Sequence, residues 1–286
     1  MTFNSRQISR EYIADKIKSF YESNYANSDI GFIKTVLNDV VELFNGKRKG
    51  FQRCDAQYHD LTHTFQVVPP FVEIIDGWNK SGNMPKVSKE CFDIGITAVL
   101  LHDTGYIKKQ GDTAGTGAKY TFEHIQRSID FAVYYLPQIG FDNQKIAQLT
   151  NVISCTGVNI NLMDIHFHSE EERIIGYALG TADFLGQMAA DDYQEKLPIL
   201  YNEFEESYHY VGIEKVRAKG VKMFEDAGEL LMSTKSFYEA VVMDRFGKMD
   251  SLYKYIEFNH ANMKNPYIEA IEENIQKIEN NLSKNK

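Results

Sequence analysis

The first residues suited to chemistry are two histidines in the segment YHDLTHTFQVV, residues 58–68. His59 and His63 are four positions apart, so on a helix both imidazoles would project from one face, about one turn apart. Such a pair can share a metal ion or a substrate. An HxxxH pair also arises by chance, as exposed histidines or as histidines satisfied in a core, so by itself it indicates little.

A second candidate pair follows the apolar segment CFDIGITAVLL, residues 91–101, which ends in His102 and Asp103. A helix that is apolar on most faces is buried, so this histidine and this aspartate are expected near the interior. A buried carboxylate beside an imidazole is costly unless hydrogen bonds or a cation compensate, and a divalent ion would satisfy both groups. The alternative is that Asp103 caps a helix end and His102 lies at the surface.

A single acidic residue stands out in another apolar segment, IIGYALGTADFLGQM, residues 174–188. Asp183 lies inside the predicted helix, where an aspartate has weak helix propensity and a desolvation penalty. It could bind a metal ion, or it could accept a structural hydrogen bond from a neighbouring helix end. This segment alone favours neither.

Helices must position these residues, because apolar side chains recur at spacings of three and four along most of the chain. Two such runs are Ile13, Ile17 and Phe20, and Ile33, Leu37, Val40, Val41 and Phe44. Alternating strand patterns are scarce, so the sequence predicts an all-α fold of about ten to twelve helices. Helix starts are predicted at Thr121 and at two capping boxes, Ser169–Glu172 and Ser236–Glu239.

One continuous helical domain is the simplest organisation, since no repeat and no Pro/Gly/Ser-rich linker divides the 286 residues. We expect N-terminal helices over residues 1–50, the candidate residues within a core over 51–195, and C-terminal helices over 196–286. The C-terminal helices could close a pocket or form a homodimer face. Two irregular stretches, 105–119 and 156–168, are predicted to be functional loops.

The composition excludes several classes of protein. With 43% hydrophobic and 25% charged residues it is that of a globular protein, and a net charge of -9 argues against a protein that coats nucleic-acid duplexes. No apolar stretch approaches the roughly 18 residues that a membrane-spanning helix needs, and no secretory signal is visible, so we expect a cytoplasmic protein. Three distant cysteines, Cys54, Cys91 and Cys155, fit reduced thiols.

Taken in chain order, the HxxxH pair, the His-Asp pair and the later aspartate resemble the HD superfamily of metal-dependent phosphohydrolases. The resemblance covers residues 51–195, and YHDLTHTFQVV is especially similar to the YHNxxHAxDV segment of cyclic nucleotide phosphodiesterases. It implies a single all-α HD-type domain with additional N- and C-terminal helices. It also implies a hydrolase that cleaves a phosphoester of a nucleotide or cyclic nucleotide with a metal-activated water.

By this resemblance, His63, His102, Asp103 and Asp183 bind one divalent ion, which would be Mn, Mg, Fe, Zn or Ni. Two imidazoles and two carboxylates would leave positions open for water and phosphate on a six-coordinate ion. The resemblance further implies that His59 protonates the departing ester oxygen and that Asp103 orients the attacking water.

The sequence leaves a second ion open. His124 occupies the place where two-metal members carry another histidine, but Cys155 and Thr156 stand where a further histidine is usual. His166 and His168 follow in the 156–168 stretch and could substitute or belong to a solvated turn. Counter-charges for the substrate phosphate are predicted at Lys108, Lys109, Lys119 and Arg127, with solvated side chains as the alternative.

Departures from known subfamilies leave the substrate unnamed. Asp60 stands where the phosphodiesterase segment has Asn, and HDTGY differs from the residues that follow HD in cyclic di-GMP and guanosine tetraphosphate hydrolases.

Three other functions stay open. HDLTH is similar to the HExxH of zinc peptidases, although that function leaves His102, Asp103 and Asp183 unexplained. An HD-fold di-iron oxygenase would need a fuller set of histidines. A non-catalytic module that senses a nucleotide would gain nothing from His59.

Overall fold

The structure is a computed structural model that describes residues 8–26, 28–218 and 220–284. Over these residues the chain forms twelve α-helices and no strand, apart from one isolated β-bridge between Phe51 and Lys109. The helices are α1 (Arg10–Asn24), α2 (Gly31–Phe44), α3 (Leu61–Lys80), α4 (Lys89–Leu101), α5 (His124–Tyr135), α6 (Asn143–Ser154), α7 (Glu170–Met188), α8 (Tyr193–Val211), α9 (Ile213–Ala218), α10 (Ala227–Phe237), α11 (Met243–Lys248) and α12 (Pro266–Lys284). The prediction of an all-α fold is confirmed.

Short tight turns of helix connect these elements. The 3-10 helices are Thr104–Tyr106, Gly117–Tyr120, Leu136–Ile139, Leu162–Asp164 and Leu252–Asn259, and a π-helical turn covers Tyr238–Val242. The predicted irregular stretches 105–119 and 156–168 contain such short turns, irregular backbone and, at Lys109, the isolated β-bridge, but no α-helix.

Three helices, α3, α4 and α7, form the centre of the fold and pack against one another. Their apolar runs are buried on most faces, as their sequences predicted. Close approach requires glycine at the contacts: a Cβ on Gly95 would lie 2.6 Å from the ring of Phe71, and one on Gly186 would lie 2.6 Å from the backbone oxygen of Gln66. The ends of these helices are thereby brought together.

The first helix of this centre begins later than the HxxxH spacing suggested. Asp60 is the N-cap of α3, where its carboxylate accepts a hydrogen bond from the backbone N–H of His63 at 2.9 Å. His59 therefore lies before the helix, and the prediction that His59 and His63 share one helical face is wrong. Aspartate is a strong N-cap, because its carboxylate satisfies a backbone donor of the first turn.

The two predicted capping boxes differ in outcome. Ser169 caps α7 by accepting from the backbone N–H of Glu172 at 3.1 Å, which confirms that helix start. The prediction at Ser236 is wrong, because Ser236 lies inside α10. That helix begins after Asp226, whose carboxylate accepts from the backbone N–H of Glu229 at 2.8 Å.

The predicted start at Thr121 is also wrong. The Thr121 hydroxyl donates to the backbone oxygen of Ala118 at 2.7 Å, so it completes the preceding 3-10 helix and caps nothing after it. The helix α5 starts at His124 with Glu123 as its N-cap.

The C-terminal helices pack on this centre from the outside. α12 contacts α7, and α8 contacts the 3-10 helix Gly117–Tyr120 in the 105–119 stretch. α8 thereby lies close to the pair His102 and Asp103. Among the described helices, none combines the length and the apolar character required to cross a membrane.

Candidate metal centre

The structure brings His63, His102, Asp103 and Asp183 together where α3, α4 and α7 meet. Nε2 of His63 lies 3.3 Å from Oδ2 of Asp103 and 3.2 Å from Oδ1 of Asp183. Nε2 of His102 lies 3.3 Å and 3.8 Å from the same two oxygens. His63 stands in the first turn of α3, and His102 is the C-cap of α4. We call these four side chains the ligand cluster.

The protonation of His102 leaves one nitrogen facing the carboxylates. Its Nδ1 lies 2.8 Å from the backbone oxygen of Val99, which can only accept, so Nδ1 carries a proton. Nε2 of His102 and Oδ2 of Asp103 are buried, and neither makes a hydrogen bond to a described residue. Buried polar atoms are almost always hydrogen-bonded, so this pair is unusual.

A cation would satisfy the unpartnered atoms. His63, His102 and Asp103 are all buried, and their donor atoms lie within 4.8 Å of one another, so they could hold a metal ion. Two imidazole nitrogens and carboxylate oxygens suit several first-row divalent ions. The chemistry of the donor set therefore fits a metal centre, although it does not select one metal.

The charges in the ligand cluster depend on one another. Burial lowers the pKa of His102, but the carboxylate of Asp103 outweighs that effect and raises it to about 9. Burial raises the pKa of Asp103, yet the His102 imidazolium outweighs it and holds that pKa well below its usual range. Without a cation the pair holds a proton on the imidazole. A cation must displace this proton, so its affinity should rise with pH.

His124 lies on the other side of Asp103. Its Nε2 is 4.0 Å from Oδ1 of Asp103, whereas Oδ2 faces His63 and His102. Nδ1 of His124 donates to the backbone oxygen of Thr121 at 2.6 Å, and burial lowers the pKa of the imidazole. A neutral imidazole thus lies beside the second carboxylate oxygen, while the three side chains that together could hold a metal ion are His63, His102 and Asp103.

Glycine is required where α5 approaches the HD pair. A Cβ on Gly105 would overlap the backbone oxygen of His124. The backbone N–H of Gly105 also donates to the Ser128 hydroxyl at 2.8 Å. These contacts fix the start of α5, and thereby His124, next to the ligand cluster.

The other candidates for a second site make their contacts elsewhere. The thiol of Cys155 donates to the backbone oxygen of Asn151 at 3.5 Å, and burial raises its pKa. The hydroxyl of Thr156 donates to the backbone oxygen of Ile153 at 2.9 Å. In the 156–168 stretch, Nδ1 of His168 lies 3.0 Å from the buried carboxylate of Glu172, and the backbone oxygen of His166 accepts from Asn151 at 3.0 Å.

His59 is held beside the ligand cluster by Glu203, a residue that the sequence did not point to. Nδ1 of His59 lies 2.6 Å from Oε2 of Glu203, and the rings of His59 and His63 are edge to face, 5.6 Å apart. Oε1 of Glu203 accepts from the backbone N–H groups of Gln57 and Tyr58, each at 2.7 Å. One buried carboxylate on α8 therefore positions the whole segment before α3.

The same carboxylate affects the protonation of His59. Burial lowers the pKa of His59, but the carboxylate of Glu203, with those of Asp103 and Asp183, outweighs burial and raises it. Burial raises the pKa of Glu203, and the His59 charge outweighs that effect and lowers it. A signal for Glu203 existed in the sequence, because it follows Leu197 and Leu200 at a spacing of three on the buried face of α8.

Two of the predicted phosphate-binding cations already have partners in the 105–119 stretch. Nζ of Lys108 binds Asp55 at 2.8 Å and the backbone oxygen of Gly115 at 2.6 Å. Nζ of Lys119 binds Asp112 and the backbone oxygen of Ala114, each at 2.5 Å. We call these two ion pairs of a buried lysine with a more exposed aspartate, Lys108–Asp55 and Lys119–Asp112, the loop cage.

The other two predicted cations differ from each other. Nε of Arg127 donates to the backbone oxygen of Gly105 at 2.7 Å, and Nη2 donates to that of Ile107 at 3.0 Å. The guanidinium also stacks 3.4 Å from the ring centre of Tyr120. Lys109 is exposed. Lys108 and Lys119, from within the 105–119 stretch, and Arg127, from α5, therefore stabilise that stretch, and the prediction that they bind a substrate phosphate stays a prediction.

A scan against protein-family models and a search of curated proteins find no match for this chain. The chain is all-helical over its described residues and contains a buried His-His-Asp cluster that could hold a metal ion, which is compatible with an HD-type fold.

Proposed function

We propose that this protein is a metal-dependent phosphohydrolase that uses a metal-activated water to cleave a phosphoester of a nucleotide or cyclic nucleotide. One observation carries the proposal: an acid-base pair, the partly buried His59 and the buried Glu203 at 2.6 Å, lies directly beside the ligand cluster. A purely structural metal site needs ligands but no neighbouring proton donor. Perturbed titratable groups next to a candidate metal site favour catalysis.

The residues divide the chemistry between them. A divalent cation on the ligand cluster would supply the Lewis acidity that polarises a phosphoryl group and lowers the pKa of a water molecule. The carboxylate of Glu203 accepts the hydrogen bond from Nδ1 of His59, so the proton on Nε2 is the one that His59 can transfer. Asp103, buried between His63, His102 and His124, is placed to orient the attacking water.

In the proposed reaction the water oxygen forms a bond to phosphorus while the bond from phosphorus to the ester oxygen breaks. The departing oxygen keeps the electron pair of that bond and takes the proton from Nε2 of His59. The proton that the water loses passes to solvent, from which His59 is protonated again. The products are an alcohol and a phosphate with one ester bond fewer.

The contacts of three predicted phosphate-binding cations are consistent with this division. Lys108, Lys119 and Arg127 already contact carboxylates, backbone oxygens or an aromatic ring, so a phosphate would have to share these cations with their present partners. In a protein of net charge -9, a cation on the ligand cluster and the charge of His59 would supply further positive charge for the phosphate.

Hydrolysis by a metal-reconstituted protein tests the proposal. We would remove metals with a chelator, add Mn, Mg, Fe, Zn or Ni singly, and measure product release from bis(p-nitrophenyl) phosphate and from a panel of nucleotides and cyclic nucleotides. Asp103→Ala is expected to abolish turnover, and Asp15→Ala, a change of an exposed aspartate on α1, is the matched control. No metal-dependent release from any ester would refute the proposal.

Oxygenase chemistry at two irons is a second candidate, favoured by one observation. Asp103 directs its two oxygens toward different histidines, as a carboxylate that bridges two cations would. Turnover that requires iron and dioxygen, without hydrolysis under manganese or magnesium, would favour this function over the phosphohydrolase.

A further inference from the structure

An aromatic ring contacts both the candidate proton donor and the candidate second-ion ligand, whose imidazole centres also lie 6.3 Å from each other. The ring of Tyr106 stacks on the imidazole of His59, with centres 4.2 Å apart and planes 8° apart. Its other contact is the imidazole of His124, with centres 4.8 Å apart and planes 22° apart. Tyr106 is fully buried and closes the 3-10 helix that follows the HD pair.

The backbone around Tyr106 fixes the position of its ring. A Cβ on Gly117 would overlap the backbone oxygen of Tyr106, so the chain passes there in direct contact. On the other side, Gly105 abuts the start of α5 and binds the hydroxyl of Ser128. The backbone of Tyr106 is therefore held on both sides, and its ring, which is fully buried, cannot turn without displacing its neighbours.

The stack adds a restraint to the hydrogen bond that His59 donates to Glu203. That hydrogen bond holds the imidazole at one edge only, and the torsion about the Cβ–Cγ bond is intrinsically soft. A ring stacked face to face restricts that rotation, because tilting the imidazole would drive its edge into the aromatic face. Together the two contacts fix both the position and the plane of the imidazole.

We propose that Tyr106 is a positioning residue, whose ring orients His59 so that Nε2 faces the departing ester oxygen. The proposal rests on the function proposed above. It assigns the effect to the ring and not to the hydroxyl. Tyr106→Phe should therefore behave like the wild-type protein, and Tyr106→Leu should not.

The first test needs neither metal nor activity. Histidine side-chain NMR spectra of the metal-free protein report the shielding that a stacked ring imposes on imidazole protons. Tyr106→Leu should shift the His59 and His124 signals downfield, while Tyr106→Phe should leave them near the wild-type positions. The wild-type protein should also show nuclear Overhauser contacts from the Tyr106 ring to both imidazoles. Absence of these contacts would overturn the proposal, whether or not Tyr106→Leu folds.

The second test separates positioning from a general loss of structure. A p-nitrophenyl ester has a good leaving group that needs little protonation, whereas the alkoxide of an alkyl or nucleoside ester needs a proton donor. We expect Tyr106→Leu to lower kcat for a nucleoside ester by about 100-fold, at the lower end of general-acid effects, and for bis(p-nitrophenyl) phosphate by less than about threefold. An equal loss on both substrates would overturn the proposal.

The matched control is Tyr135→Leu. Tyr135 is also buried, but it hydrogen-bonds Asp39 at 2.7 Å and stacks on Phe131, away from His59. The Tyr135→Leu protein should be less stable, but the ratio of its kcat values for the nucleoside ester and for bis(p-nitrophenyl) phosphate should equal that of the wild-type protein. If the wild-type protein hydrolyses no ester while the NMR signals shift as expected, the proposed function fails and the placement of the ring stands.

Discussion

The ligand cluster and the loop cage both bury charge, but they differ in how that charge is satisfied. In the loop cage each buried lysine contacts a carboxylate and a backbone oxygen of the protein. In the ligand cluster, Nε2 of His102 and Oδ2 of Asp103 make no hydrogen bond to any described residue. The lysines of the cage find their partners within the chain, whereas the cluster keeps unpartnered atoms and could hold a metal ion. The charge of the cage is therefore structural, and under the proposed function the charge of the cluster is chemical.

Removing the charge of Asp103 should have the largest effect on cation binding and hydrolysis. If it had no such effect, the contrast between the ligand cluster and the loop cage would fail. At a cation concentration of about 100 times Kd, the wild-type protein should gain about 2.7 kcal/mol in its free energy of unfolding. Asp103→Asn should gain none, and its hydrolysis should fall by at least about 1000-fold. Denaturant unfolding with and without cation measures the first effect, with Asp15→Asn as the control. Equal stabilisation of both variants would contradict a metal site at Asp103.

Gly105→Ala tests the junction between the ligand cluster and the 105–119 stretch. Its methyl group would overlap the backbone oxygen of His124, so we expect a loss of about 3 kcal/mol in the free energy of unfolding. The control is Gly247→Ala on α11, where no described atom would lie within 4 Å of the new Cβ. That change should be neutral or stabilise the helix by up to about 1 kcal/mol. A stable Gly105→Ala protein would show that α5 does not approach as closely as described.

Lys119→Met tests whether the loop cage serves stability and not cation binding. It leaves Asp112 without its lysine partner, so we expect a loss of about 2 kcal/mol in the free energy of unfolding and an unchanged cation affinity. Lys109→Met, at an exposed position, is the control and should change neither. Calorimetric titration with the cation measures the affinity. A raised KM for a phosphoester without loss of stability would instead support Lys119 as a phosphate-binding residue.

Glu203→Gln should have the smallest effect on stability and a characteristic dependence on pH. The raised pKa of His59 stabilises the fold at pH values below it, and this contribution is lost as the pH rises through the raised pKa. The lowered pKa of Glu203 gives a contribution that is lost as the pH falls through it. In the metal-free protein, the difference in unfolding free energy between wild type and Glu203→Gln should therefore be greatest above about pH 5, near 1.5 kcal/mol as a rough value, and should shrink once the pH exceeds the pKa of His59. A difference that is constant with pH would contradict an ionised His59–Glu203 pair.

The sequence by itself determined the helices that form the centre of the fold. The apolar runs before His102 and around Asp183 predict buried helices, and the structure has α4 and α7 there. Helical periodicity is a local property of the chain, so it can be read from spacing alone. His102 and Asp103 were expected near the interior for the same reason, and both are buried.

Only the tertiary structure decided which polar side chains face one another. Asp60 caps α3, so His59 lies outside the helix. Glu203, 144 residues further along the chain, holds the imidazole of His59 by a hydrogen bond. The inward turn of Lys108 and Lys119 likewise depends on Asp55 and Asp112. These choices follow from desolvation: a buried charge lies where a partner from another element offsets the loss of water, and that partner is set by packing and not by spacing in the sequence.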